Sequence, residues 1–299
     1  MHAVTLLKFF DARAAQKQPL VQVTVLETRG STYSKAGDLV LVDADGVVCG
    51  MLSGGCLEGD LAVRARIVLE SGKAQTATYD LLAGDEDVWG LGVGCDGSMT
   101  VYLQPLLAQN DYAPFTAIAT ALRGHAPATV RIEDADGQLL LDMNVRPPPQ
   151  LLLLGAGRDA VPLARLIDGL GWRCSLFDHR PAYIESPDFP AACVKHCADP
   201  EALSSTVDLS TVDAAIVMSH HLASDRVYLR QLASTAIAYL GLLGPPARKQ
   251  RLLSELGEQG RALSGRLHGP AGLRLGGRGP ELIGLAIVAH VQQVLSGRA

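Results

Sequence analysis

QLLLLGAGRDAVPLARLIDGLGWRCSLFDHR, residues 150–180, decides the fold. Its opening apolar run shows no polar alternation, as expected of a strand buried on both faces of a parallel sheet. The run ends at Gly155, a helical pattern continues to Leu170, and after Gly171 a second strand ends at Asp178. This is a βαβ unit. Its turn, Gly155-Ala156-Gly157-Arg158-Asp159-Ala160, fits G-x-G-x-x-A. The first glycine permits the tight turn, the second lets a phosphate approach the backbone, and the small alanine packs helix on strand. Free N–H groups and the dipole at the helix start suit an anion. Asp178 lies 21 residues after Gly157, where a ribose-binding carboxylate sits in dinucleotide sites. The plainer reading is a strand-end carboxylate paired with Arg180 on a fold that holds no nucleotide.

Downstream, strand and helix keep alternating. DAAIVMSH (213–220) reads as a buried strand, 224–235 as a helix, AIAYLGLLG (236–244) as a strand, 247–260 as one helix and 281–295 as the closing helix. This alternation predicts a doubly wound parallel sheet. Ser219-His220-His221 follows the 213–218 strand, at the end that faces the ligand crevice. His220 is therefore a candidate ligand contact, with the second imidazole structural. The apolar stretch from Leu282 to Val291 reads as a buried helix. Residues 193–197, Cys-Val-Lys-His-Cys, lack the haem-attachment order and read as a segment with a core cysteine. Cys49 and Cys174 also read as core residues.

Upstream, Pro147-Pro148-Pro149 forms a stiff connector that marks the main boundary. Before it, residues 3–18 read as a helix, 21–28 as an alternating strand, 30–37 as a polar loop and 38–52 as a hairpin turning at Asp45-Gly46. Residues 57–72 show a helical period with Leu57, Leu61, Val63, Ile67 and Val68 placed on one face and Gly72 as the stop. Strands are expected at 75–81 and 98–106, flanking a glycine-rich loop at 84–97. A short helix and a hairpin around Asp136-Gly137 occupy 115–145. The expected organisation is an α/β protein with three parts. An N-terminal α+β domain spans 1–108, a connecting segment with the proline linker spans 109–149, and a Rossmann-like doubly wound domain spans 150–299.

Two cysteines stand among glycines, in Ser53-Gly54-Gly55-Cys56 and in Gly92-Val93-Gly94-Cys95-Asp96-Gly97. A thiol just before a helix feels the positive end of the dipole, which favours thiolate. Gly54 and Gly55 leave room for a bulky ligand at the backbone. The alternative is two small thiols buried in tight turns. Their spacing is not that of a zinc site.

Composition excludes other classes. The 299 residues are 48% hydrophobic and 19% charged, too apolar for a disordered chain. The net charge of −5 argues against a nucleic-acid partner. No apolar run approaches the ~18–20 residues that span a bilayer, so no membrane partner is expected. Six cysteines are too few for a disulfide scaffold and fit a reducing cytoplasm.

GSTYSKAGDLVLV, MLSGGCLEGDL and GLGVGCDG together resemble the N-terminal domain of the XdhC/CoxI family. LLLLGAG, FDHRP, SHH, AYLGLLG and RLHGPAGLRLGGRGPELIGLAIVAHV resemble its second domain in the same order. The chain departs from the family pattern at Arg158, where histidine is usual. It departs again at His221, in place of an acid, and at Pro245-Pro246-Ala247, in place of Ser-Arg-Arg. The resemblance implies an accessory factor for xanthine dehydrogenase-type molybdenum hydroxylases, without turnover of its own. Such a factor binds molybdenum cofactor, as plain molybdopterin or its dinucleotide form, and protects it. It supports the cofactor's sulfuration by a cysteine desulfurase and inserts it into the apo-hydroxylase. On this reading Cys56, Cys95, Gly54, Gly55, Gly155, Gly157, Asp178 and His220 are the cofactor-binding candidates. A nucleotide in the Rossmann-like domain is a further ligand, and a homodimer the default assembly. The competing readings are an NAD(P)-dependent oxidoreductase and a non-catalytic interaction scaffold.

Overall fold

The structure is a computed structural model that describes residues 3–80 and 97–297. Contacts divide it into two compact units, parting between Pro147 and Pro148.

The first unit is built on a five-stranded antiparallel sheet. Its elements begin with α1 (Ala3–Ala14), β1 (Leu20–Gly30), β2 (Leu39–Asp43), β3 (Val48–Cys49) and α2 (Glu58–Ser71). They continue with β4 (Gln75–Asp80), β5 (Gly97–Leu106), α3 (Phe115–Arg123), β6 (Ala128–Glu133) and β7 (Leu139–Val145). The sheet order is β3-β2-β1-β5-β4. β2 shows how both faces are buried: Leu39 and Leu41 join α1, α3 and the β6–β7 hairpin, while Val40 and Val42 face α2. The period of two along the strand makes this division. Asp43 fixes the β2–β3 turn, its Oδ1 accepting from the Asp45 and Val47 amides at 3.0 and 2.9 Å. The 115–145 helix and hairpin, expected within a connecting segment, contribute Phe115, Ile118, Ile132 and Met143 to the same core as α1.

One expectation fails on α2. Its buried residues are Leu61, Ala65 and Val68, with Leu57 just before it, whereas Val63 is 59% and Ile67 45% exposed. Positions 57, 61, 65 and 68 recur at helical spacing; 63 lies about 200° round the helix from 61 and cannot share that face.

The second unit starts with β8 (Gln150–Leu154), α4 (Ala160–Gly169), β9 (Arg173–Asp178), α5 (Pro181–Ile184), β10 (Val194–Cys197), α6 (Leu203–Thr206) and β11 (Ala214–Val217). It ends with α7 (Leu222–Leu232), β12 (Tyr239–Leu242), α8 (Pro246–Glu255), α9 (Glu258–Leu263), β13 (Leu267–His268) and α10 (Pro280–Ser296). The six strands are parallel in the order β10-β9-β8-β11-β12-β13. That is the doubly wound Rossmann order, as expected, and it reverses between β8 and β11. Leu151 and Leu153 pack towards α4 and α10; Leu152 and Leu154 pack towards α7 and α8.

Two helix expectations need correction. The single helix at 247–260 is two, α8 and α9, because Gly257 adopts a φ of +57° between them. The closing helix is not buried throughout: Gly284, Ile287, Val288 and Val291 are, but Leu282, Ile283 and Leu285 are 41–47% exposed. The apolar residues encircle this helix, and the sheet covers only one side. Among the described residues no helix is long and apolar enough to cross a membrane.

Candidate functional site

In the first unit, residues 52–58 fold around one carboxylate. Glu58, the first residue of α2, accepts at Oε1 from the Leu52 and Ser53 amides, at 3.2 and 3.1 Å. Its Oε2 accepts from the Ser53 hydroxyl at 2.6 Å and the Leu57 amide at 3.2 Å. Burial would push the Glu58 carboxyl up, but the Ser53 hydroxyl and the backbone amides outweigh it and hold the carboxyl below its ordinary value. The loop is thus pinned at both ends, and Gly54, Gly55 and Cys56 form its crest. Gly54 and Gly55 are exposed and Cys56 is half-buried. Gly55 has a φ of +109°, which favours glycine. A Cβ on Gly54 or Gly55 would meet nothing within 4 Å, so packing within the chain does not require either to be small. The structure therefore presents a thiol beside open backbone. Glu58 was not among the residues singled out from sequence; the signal for it was an acid five residues after Ser53 at a helix start. Cys95 and its glycines lie outside the described residues.

In the second unit, Gly155, Gly157, Asp178 and His220 come together at the carboxyl ends of β8, β9 and β11. Gly155 donates to the Phe177 carbonyl at 2.9 Å. Its φ is +123°, and a Cβ there would lie 2.6 Å from the backbone of Met218 and Ser219. Only glycine allows the turn to leave β8 this close to the end of β11. At Gly157 the neighbour is a side chain: a Cβ would lie 2.7 Å from Asp159 Oδ1. Asp159 Oδ2 in turn bonds His220 Nε2 at 2.7 Å, and His220 itself has a φ of +59°. The place where a phosphate approaches the second glycine thus holds a carboxylate paired with an imidazole. Asp159 is half-exposed and His220 exposed, so this pair stands at the surface of the crevice.

Asp178 is only 1% exposed. Its Oδ2 accepts from the Ala156 amide at 2.8 Å and Arg180 Nη2 at 2.7 Å, and its Oδ1 from the Arg180 amide and Nε at 3.0 and 2.9 Å. Burial would raise its pKa; the guanidinium and both amides outweigh that and hold the carboxyl below its usual range. Arg180 also stacks on Tyr183, 4.0 Å from the ring centroid. So Asp178 ties the glycine loop to Arg180 in place of offering a free acceptor to a ribose.

A second buried pair was not legible in advance. Ser219 donates to Asp225 Oδ1 at 2.5 Å, and Arg248 holds Asp225 Oδ2 with Nη2 at 2.6 Å. His221 accepts at Nδ1 from the Ser224 amide at 3.4 Å, capping α7 and filling a structural role. Tyr228 is fully buried, its hydroxyl without a hydrogen-bond partner among the described residues. Burial raises its pKa, with Asp178 and Asp225 adding to the shift.

Comparison with known proteins bears on the family and the fold. Residues 151–291 match the family model described as the XdhC Rossmann domain, and residues 13–80 match the XdhC and CoxI family. A Bacillus subtilis protein named as a probable xanthine dehydrogenase subunit is 30% identical, over 95% of each chain. The molybdenum cofactor insertion chaperone PaoD of Escherichia coli is 24% identical, over 97% of this chain and 88% of its own. A crystal structure of a xanthine dehydrogenase from Bacillus halodurans superposes with a TM-score of 0.81 at 26% identity, covering 99% of this chain and 97% of that one. The two units, their order and the relatives over nearly the full length place this chain in the XdhC and CoxI family.

Proposed function

We propose that this protein carries molybdenum cofactor as cargo and inserts it into an apo-hydroxylase of the xanthine dehydrogenase type. The observation that carries the reading is the Cys56 loop: a half-buried thiol on a crest of two exposed glycines, fixed from beneath by Glu58. A thiolate is a soft ligand suited to a molybdenum or sulfur centre, and open glycine backbone suits a bulky planar pterin. The relative named as a molybdenum cofactor insertion chaperone supports the same assignment. When bound, the cargo supplies a dithiolene-held molybdenum that receives a terminal sulfur before delivery. Cys56, and Cys95 with it, would hold that end, while Gly54 and Gly55 admit it.

The crevice of the second unit is proposed to take a phosphate-bearing group, the cofactor's own or a nucleotide's, at the start of α4. Gly155 allows the tight turn, Gly157 puts no side chain of its own at the helix start, and Asp159 and His220 would open to admit the anion. The commitment of Asp178 to Arg180 weighs against an ordinary nicotinamide site, which uses that carboxylate for the ribose. A cysteine desulfurase as sulfur donor, a homodimer, a cytoplasmic location and the lack of turnover of its own belong to the same proposal. Purification from the native host with a candidate hydroxylase, followed by molybdenum and pterin analysis, tests it. Molybdopterin oxidation products in the complex are the expected result; bound nicotinamide without pterin would favour the oxidoreductase instead.

A further inference from the structure

Cys174 and Cys193 belong neither to the Cys56 loop nor to the crevice. Cys174 is the second residue of β9, and β10 runs parallel beside it with Val194 opposite Ser175. One position earlier, that register sets Cys193 beside Cys174. Both side chains enter the same apolar cluster, 5% and 8% exposed. Interaction between the two thiols pushes Cys174 up and Cys193 down, and the Lys195 ammonium also lowers Cys193. Both are free thiols. Neighbouring positions on paired strands stand about 4.8 Å apart, within the Cα separation that a disulfide spans.

We propose that Cys174 and Cys193 form a reversible redox couple, which a peroxide oxidises to an intramolecular disulfide. The inference is independent of the cargo assignment. In the first step the Cys193 sulfur attacks one peroxide oxygen and the O–O bond breaks. Cys193 becomes a sulfenic acid, and its thiol proton leaves with the other oxygen as water. In the second, the Cys174 sulfur attacks Cys193, the S–O bond breaks, and the hydroxyl departs with the Cys174 proton as a second water. Two thiols and one hydrogen peroxide give one disulfide and two waters; an added dithiol reverses the change by exchange. The bond would fasten the chain between β9 and β10, which carries Arg180 and Tyr183, to the sheet beneath it. Cys197, exposed at the far end of β10 opposite Asp178, is the internal control.

Peptide mapping of the full-length protein decides the matter. The folded protein is treated with hydrogen peroxide, its remaining thiols are alkylated, and it is digested. Cleavage after Glu185 parts the two cysteines, which trypsin does not, because Arg180 is followed by Pro181. The expected product is a Cys174–Cys193 linked peptide pair, unalkylated at both sulfurs, released by dithiothreitol, retained in C197S and absent in C193S. Full alkylation of both cysteines after oxidation, a link through Cys197, or sulfinic acid on Cys193 with Cys174 still free would overturn the proposal. The wild-type map is decisive by itself should C193S fold poorly.

Discussion

At the scale of single residues, Asp178 shows how one carboxylate can serve a fold while standing in a position associated with ligands. Buried at 1% exposure and held twice by Arg180, it costs far more to leave half-paired than its net worth to stability. Asp178→Asn is expected to destabilise the protein by about 3 kcal/mol at neutral pH. The pH dependence follows from the direction of its shift. A carboxyl lowered by folding contributes fully above its unfolded value, about 3.9, and loses that contribution as pH falls through the folded value. Urea unfolding of both proteins at pH 7 and in acid should therefore show a gap that narrows in acid; a constant gap would contradict the pairing. The two glycines of the turn should behave differently from each other. Gly155→Ala places a Cβ against fixed backbone at a positive φ and should cost several kcal/mol or prevent folding. Gly157→Ala meets only side chains, closely that of Asp159, which can turn away, and His220 at ordinary contact distance, and thermal melts should place its cost at about 1 kcal/mol or less.

At the scale of elements, the α2 result separates what periodicity can and cannot tell. Leu61→Ala should cost about 2–5 kcal/mol, because it opens a cavity between helix and sheet. Val63→Gln and Ile67→Gln, on the exposed side, should change stability by no more than about 0.5 kcal/mol in chemical denaturation. Equal losses at 61 and 63 would contradict the observed face. The βαβ signal at 150–180 was fully legible, since buried parallel strands and a glycine turn are written in consecutive residues. The convergence of Gly155, Gly157, Asp178 and His220 at the carboxyl ends of the strands followed from topology alone. What stayed hidden is long-range: Asp159 with His220, 61 residues apart, and Asp225 with Arg248, 23 apart. No local pattern announces such pairs, because each depends on which loops the finished sheet brings together. The apolar 282–291 stretch misled for a related reason. Hydrophobicity around a whole helix predicts burial on all sides, but an outer layer packed on one sheet has only one inner side.

At the scale of the whole molecule, the chain combines an antiparallel sheet carrying a glycine-set thiol with a doubly wound sheet whose crevice is lined by hydrogen-bonded carboxylates. Each half contributes its own feature: an open backbone crest at Cys56 in the first, and a helix start beside Asp159 and His220 in the second. A dehydrogenase would need the second half ready for ribose and would have no use for the first. A carrier uses an accessible thiol directly. Reconstitution with molybdenum cofactor, comparing wild type, Cys56→Ala, Cys95→Ala and the double variant at matched folding, tests this most directly. The account predicts that at least one single variant loses cofactor retention about tenfold or more and that the double variant retains least. Wild-type retention in both single variants and in the double variant would contradict it.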